Sequence, residues 1–534
     1  MRDAASLGDT SEPEYGRTRS GPFARTPTSG DLLLTRRGFM RAAVAGGVAV
    51  GVASLGYWGA GAGLASASLL RSTPSPSSAP GSRSFRSRPD LSSPLIAVTT
   101  PGFRAGAGQV FLTPANGPGP IIVDNAGVPI WIHPVSGKKA FNLRVSTYRG
   151  APVLTWWEGA IATGTGQGEY VLADESYAEV ARVRAGHGLQ GDLHEFILTP
   201  EGTALFTVYQ QLVAPLTLSA SPQLSGSPQA SGATPLLDSI VQEVDIASGR
   251  VLFEWHSSDH VSPNESFAGP SAGHPFDYFH INSIDVEPDG NLLISARHTS
   301  AVYKIDRQTG AVIWRLGGKL SDFEIGGGAQ FSWQHDARRQ PDGSITLFDD
   351  GSNGSKPSNE DRSRGLVLDV NELSHTATLR QAYIHSDGIL ANSQGSMQTL
   401  PNGNVLVGWG DQPQFTEFAA DGSVVLDARL PAGSTSYRAV RFPWRGRPSN
   451  HPAIAAERTD SGATTVYASW NGATDVGSWV VLGGDSQDSL VPLGSQPRSG
   501  FETAIVVPSR PRVVAVKALD ASGAALGQSS PINA

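Results

Sequence analysis

From residue 109 onward, apolar side chains alternate with polar ones in short runs, each closed by a glycine-bearing turn. The stretch 277–338 shows the pattern at its clearest. Leu292, Leu293 and Ile294 make one apolar run and Ala311, Val312, Ile313 and Trp314 another. The turns Pro288-Asp289-Gly290 and Gln308-Thr309-Gly310 punctuate them. A period of two bounded by such turns predicts antiparallel hairpins. The same unit recurs over 109–132, 141–185, 194–256, 280–317, 335–384 and 394–430, each reading as about four short strands around a P-x-G or D-G turn. One four-stranded unit cannot bury both its faces, so such units stack radially and close a ring. The prediction is an all-β chain whose residues 95–446 form a six-bladed β-propeller, with seven blades as the competing closure. Two segments without core-forming pattern, 214–235 and 261–276, read as loops on one face.

Beyond 446 the texture changes. SWNGATDVGSWVVLGG and TAIVVPSRPRVVAVKALDASGAAL carry a turn every ten residues or so. They predict a small β-sandwich over 447–534, resembling a fibronectin type III module, with Trp470 in its core. At the other end, Arg36-Arg37 precede an apolar, Gly/Ala-rich segment over 42–64, and Ala65-Ser66-Ala67 follows at A-x-A spacing. Residues 1–70 therefore read as an export signal of the twin-arginine type. An uncleaved membrane anchor, or a cell-wall association through the N-terminus, is the other reading of the same segment. The expected location is extracellular or at the cell surface. Residues 71–94, mostly Ser, Pro and Arg, read as a disordered linker.

Charge narrows the partners. Residues 1–90 carry 11 Arg against 6 acids in a chain of net −8, which leaves −13 for the rest. A body this acidic, without a basic stripe, excludes nucleic acid as a partner. The absence of cysteine excludes disulfides, thiolate metal sites and a cysteine nucleophile.

Candidate chemistry follows from register. In a propeller the innermost strand of each blade lines the central channel. His194, Asn282 and His335 each stand six residues before the proline of their P-x-G turn, and His280 lies two before Asn282, hence on the same face. Imidazoles from several blades then converge on one axis. A lone histidine at a strand start is ordinarily a turn residue; repetition at equivalent ring positions is what points to a site. Arg297, ending the apolar run of LLISAR, needs a partner or an anion there. Trp157 and Trp333 read as packing between blades or as aryl-stacking surfaces, and Glu158 as a channel acid or a loop acid. Arg338 is a further polar residue of the same strand opening. No Walker loop, G-x-S-x-G elbow or H-E-x-x-H is present.

With these residues in view, the segments DYFHINSIDVEPDGNLLISARH, WQHDARRQPDGSITLFDDG, DLHEFILTPEGTAL and QGSMQTLPNGNVLVGWG resemble the arylsulfotransferase family of secreted β-propellers, in its shorter arylsulfotransferase-like branch. The resemblance spans roughly 95–444. It implies transfer of a sulfuryl group from a phenolic sulfate ester to a phenol, without an adenylyl sulfate donor, through a covalent sulfohistidine. Carried over motif by motif, His335 in WQHDAR would be the nucleophile, Arg297 in SARH the anion-holding arginine, and His280 in FHINS and His194 in LHEF the helping histidines. Asn282, Trp157, Glu158 and Arg338 are the candidate substrate-binding residues. A protonated His280 or His194 is expected to hold sulfuryl oxygens and the leaving phenolate. No cofactor and no metal are expected; the partners are an aryl sulfate donor and a phenolic acceptor. The residues also admit a non-catalytic cell-surface binding propeller, or a metal-dependent lyase or hydrolase with a histidine-lined channel.

Overall fold

The computed structural model describes residues 81–212, 235–355, 360–460 and 462–534. The export segment of the sequence reading, and all of the 214–235 insert but Pro235, lie outside the described residues. No helix among the described residues is long and apolar enough to cross a membrane.

The described chain is nearly all β. Its helical elements are a single turn, Ser257–His260, and two short 3-10 turns, Pro263–Glu265 and Gln487–Ser489. Between residues 109 and 442 the strands fall into six antiparallel meanders, to two of which the short strands Phe276–Asp277 and Glu324–Ile325 add in parallel. The second to sixth are continuous in sequence and open on Lys139–Tyr148, Gly191–Leu198, Ile281–Val286, His335–Arg339 and Ser396–Thr399. The second and third join through one pair, Gly168 with Gly191. The first meander is built differently. Gln109–Leu112, Ile121–Val123 and Pro129–Ile132 supply three strands, and the fourth, Val440–Phe442, arrives from the far end and pairs Phe111 with Val440. The sixth meander gains an outer strand from the N-terminal side, Ala97–Thr100.

Alternation explains the packing. In Leu292–Ala296 every residue is buried, Ile294 and Leu292 against one neighbouring cluster and Leu293 against another. Strands apolar on both faces are what meanders stacked face to face require. Apolar clusters of this kind, rather than one central core, hold successive meanders together: Trp157, Tyr170, Phe196 and Phe206 form one, Phe348, Trp409 and Phe418 another.

Residues 453–533 form two further sheets. Ala453–Arg458, Thr464–Ser469 and Glu502–Val507 make one; Ser478–Gly484 and Val513–Leu519 are central in the other. They share a cluster centred on Trp479, with Val466, Val481, Ile505 and Val516. Trp470, expected in that core, is only partly buried and donates its indole N–H to Asn450 Oδ1 at 3.1 Å. Two other expectations change. Residues 81–94 form a hairpin, Ser82–Ser84 with Ser92–Pro94, whose Phe85 and Leu91 are buried, so this part of the linker is ordered. The 261–276 segment buries Val261 and Phe276 in a core cluster and leads directly into Asp277, which the site uses.

Candidate functional site

The opening strands of four consecutive meanders carry the same irregularity. The pairing register shifts between Phe141 and Arg144, between Gly191 and Phe196, between Ile281 and Ser283, and between His335 and Arg338. A bulge breaks strict alternation and re-aims side chains. Left-handed backbone accompanies three of the four, at Asn142 (φ 58°), His280 (φ 56°) and Asp336 (φ 58°). A non-glycine residue in that region costs on the order of 1–3 kcal/mol, and such residues cluster at functional sites. Here the consequence is that adjacent residues, such as His335 and Asp336, both find polar partners in the interior rather than on opposite faces.

Four histidines, one arginine and their partners meet at these openings. The ring centroids of His194 and His280 lie 4.9 Å apart, edge to face, and those of His280 and His298 4.6 Å apart. Tyr437 bridges to the next histidine, 5.5 Å from His194 and 6.1 Å from His335. Arg297 reaches the same place: its Nη2 donates to the Asn392 carbonyl at 2.7 Å, while the Gln394 backbone N–H, two residues on, donates to His335 Nε2 at 3.1 Å. Its guanidinium lies 5.3 Å over the Trp333 ring.

Each imidazole is oriented by an acceptor. Asp192 Oδ2 stands 2.6 Å from His194 Nδ1, Asp350 Oδ2 2.7 Å from His335 Nδ1, and Asp277 Oδ2 takes His280 Nδ1. An aspartate on one ring nitrogen fixes the tautomer and frees the other. For His335 the assignment is forced. Nε2 accepts from an N–H, so the proton of the neutral ring sits on Nδ1 and donates to Asp350. His298 is forced likewise: Nε2 lies 2.9 Å from Arg297 Nη1, which can only donate, and Nδ1 donates to the Asp277 carbonyl.

Burial and mutual charge set the protonation states. His335 is pushed well below the ordinary imidazole value by burial, then by the fields of Arg297, His280 and His194. His280 is lowered for the same reasons, burial first and then His194 and Arg297. His298 falls to about 3, again chiefly by burial. The expected protonated His280 is therefore corrected: on its own surroundings it is a neutral imidazole. Burial lifts Asp350 well above the ordinary carboxyl value, with Asp349 and Asp411 adding to it and Arg297 opposing. Burial also raises Asp277. Arg297 Nε, Asp277 Oδ1, Asp350 Oδ1 and the Tyr437 hydroxyl are buried polar atoms without a protein hydrogen bond. Polar atoms left over in one place are the mark of a site that receives a polar ligand.

The family model described as Arylsulfotransferase (ASST) matches residues 144–430, which hold all of these histidines and Arg297. The chain belongs to the arylsulfotransferase family. No curated protein matches it. Among solved structures, a protein of unknown function from Bacteroides caccae is similar at 14% identity and a TM-score of 0.39, covering 63% of this chain and all of that one. A virginiamycin B lyase variant from Staphylococcus aureus with quinupristin is similar at 10% identity and a TM-score of 0.32, covering 71% of this chain and 96% of that one. Scores this low decide nothing about this arylsulfotransferase-family chain.

Within this arylsulfotransferase-family site the structure brings His194, His280, Arg297 and His335 together and sends the other predicted residues elsewhere. Asn282 is fully buried and donates to the Gln334 carbonyl at 2.6 Å, tying the fourth meander to the fifth. Trp157 packs in an apolar cluster and donates to the Gly191 carbonyl at 2.9 Å. Glu158 accepts from the Trp156 indole at 2.8 Å and faces an outer groove with His133, Lys138 and Arg182. Arg338 pairs with Glu195 and Asp336, one step along the strands from the histidines. Trp157, Glu158 and Arg338 thus do not touch the histidine cluster, and Asn282 supports it through packing.

Sequence reasoning counted His298 among the polar, potentially catalytic residues of 277–338 without giving it a role, and passed over Tyr437, the Gln394 N–H and the three aspartates. The spacings Asp192-x-His194 and Asp277-x-x-His280 were the available signal. Asp277, His280 and His298 bring one possible metal ligand atom each within 4.8 Å of the others. A metal fits them poorly. Asp277 already holds both Nδ1 atoms, and the remaining nitrogen of His298 faces the Arg297 cation.

Proposed function

We propose that this chain transfers a sulfuryl group from a phenolic sulfate ester to a phenol, independently of an adenylyl sulfate donor, through a sulfohistidine at His335. The observation that carries the reading is the tautomer of His335: Nδ1–H is held by Asp350, and Nε2 presents its lone pair beside Arg297. Membership of the family supports the activity class.

In the first half-reaction the Nε2 lone pair attacks sulfur, and the sulfur–oxygen bond to the aryl group breaks with its electron pair going to the phenolic oxygen. Charge spreads over the three equatorial oxygens, where Arg297 is the positive partner. As Nε2 becomes bonded, the ring gains positive charge, and Nδ1–H strengthens its hydrogen bond to Asp350 Oδ2. The Gln394 N–H, no longer bonded to a lone pair, turns to a sulfuryl oxygen. Phenol has a pKa of about 10, so a proton donor for departure and an acceptor for attack both help. His194, with Nδ1 on Asp192, gives a proton to the departing phenolic oxygen and takes one back from the acceptor phenol, while His280, neutral and with Nδ1 on Asp277, can only accept at Nε2. In the second half-reaction an acceptor phenol gives up its proton, its oxygen attacks sulfur, and the Nε2–sulfur bond breaks.

On this reading the six meanders are the blades of a propeller, the two C-terminal sheets a fibronectin type III-like module, and the chain is exported by the twin-arginine route. The test is direct. The protein is incubated with a chromogenic aryl sulfate without acceptor and digested. A mass gain of one sulfuryl group on the peptide holding His335, lost again on adding phenol, is expected. His335→Ala should lower turnover by at least about 10⁴-fold. Turnover equal to wild type in that variant, with no labelled peptide, rejects the mechanism.

A further inference from the structure

Three residues of the histidine cluster are each followed by a charged neighbour that turns away from it: Glu195 after His194, Asp336 after His335, and Arg438 after Tyr437. These neighbours meet one another in a second cluster. Arg438 Nη2 lies 3.2 Å from Glu195 Oε2 and its Nε 3.2 Å from Asp336 Oδ1. Arg338 pairs with the same two carboxylates and donates to the Ile284 carbonyl at 2.6 Å. Both acids are almost wholly buried, and two guanidiniums already use them.

A third guanidinium has no such share. Arg144 reaches Glu195 only at 3.6 Å, and its Nε is buried without a hydrogen-bond partner. The next acid along, Asp285, takes the Arg339 backbone N–H at 2.9 Å. Arg144 lines a cavity of about 150 Å³ together with Asn142, Arg338, Arg438 and Phe442. Three guanidiniums meet Glu195 and Asp336 there, with Asp285 acting on Arg338 from beyond, and Met397, Val440 and Phe442 share the cavity lining with Gln340, Gln398 and Thr399. The Arg144 side chain is 30% exposed, but its Nε is buried, and a buried N–H without an acceptor is costly; the planar fork of guanidinium suits an oxyanion.

We propose that this cavity is a second anion site, distinct from the histidine cluster, which binds a small oxyanion (sulfate or a carboxylate) through Arg144. The Phe442 side suits an aryl or alkyl group carrying the oxyanion. Burial holds Arg144 below the ordinary guanidinium value, and a bound anion relieves that pressure.

Calorimetric titration of the full chain with sodium sulfate, and separately with sodium benzoate, tests it in three proteins. Binding is expected in the wild type and in Arg297→Ala, and at least about tenfold weaker in Arg144→Gln. Sulfate alone binding marks a free inorganic oxyanion, and benzoate alone an organic carboxylate; either supports the site. Arg144→Lys, which keeps the charge and loses the fork, should bind with intermediate affinity and serves if the glutamine variant is unstable. The proposal is overturned if neither salt binds the wild type, or if binding disappears in Arg297→Ala and survives unchanged in Arg144→Gln.

Discussion

His298 makes no use of its charge. Its Nδ1–H goes to a backbone carbonyl and its Nε2 takes a hydrogen bond from Arg297, so it works as a neutral acceptor that aims a guanidinium. It is a positioning residue, and its value lies in the acceptor atom. His298→Ala should raise KM for an aryl sulfate and lower kcat/KM by roughly 10–100-fold, since a charge-assisted hydrogen bond is worth about 1.5–3 kcal/mol. His298→Gln, whose amide oxygen can accept from Arg297, should recover part of that loss in steady-state kinetics. Equal losses in both would assign His298 to packing alone. The His335 pKa gives a second expectation. Its nucleophilic form is the unprotonated one, and burial with the Arg297 field holds its pKa well below the ordinary value of about 6.5. kcat/KM should therefore stay level as pH falls through 6.5 and drop only at lower pH. In Arg297→Gln part of that field is gone, the His335 pKa moves up, and the acid limb should shift to higher pH. A limb at 6.5 in both proteins contradicts the assignment.

At the level of strands and meanders, the sequence carried most of what matters and misled in a definable way. Period-two runs and P-x-G turns located all six units, because each is local and repeats. The fourth strand of the first unit escaped notice: Val440–Phe442 has no turn of its own and pairs with residues far away in the chain. Gly108, at φ +101° with its Cβ position 2.3 Å from the Phe442 carbonyl oxygen, shows how close that pairing is. Register on P-x-G brought His194, His335 and, two residues before Asn282, His280 to one place, Arg297 followed from its position ending LLISAR, and Asn282 on the same register instead bonds the Gln334 carbonyl. Parity was the weak point. Counting by twos cannot say which face a residue takes once a bulge has shifted the strand, so Arg338 was read with the histidines and belongs to the arginine cluster. Trp156 and Glu158 share one face of Ala151–Ala162, and Trp157 points the other way into an apolar cluster. The aspartates behind the histidines were invisible for a different reason: acids near turns are common, and only three-dimensional proximity distinguishes Asp350, fifteen residues from His335.

Across the whole molecule, the C-terminal sheets are fastened to the meanders by apolar contact as well as by hydrogen bonds. Phe501 packs against Phe85 with ring centroids 4.3 Å apart and planes tilted by 41°, in a cluster that also holds Leu400, Leu406 and Leu430 of the sixth meander. Asn471 bonds Ile132 on both sides at 2.9 Å. Phe501→Ala should cost about 3–5 kcal/mol, as truncation of a buried aromatic does. It should also make the segment after Trp444 more sensitive to limited proteolysis, while sulfuryl transfer, if measured on the surviving folded protein, keeps its rate. An unchanged unfolding midpoint would show the two parts to be only loosely coupled.

The late arrival of Val440–Phe442 has a consequence for biogenesis. Gly108 and Arg441, which bond each other at 2.8 Å, are separated by 333 residues. All of those residues are made before Gln109–Leu112, already paired with Ile121–Val123, finds its second neighbour, and until then its other edge presents bare N–H and C=O groups to anything nearby. That edge needs shelter until Val440–Phe442 has been made.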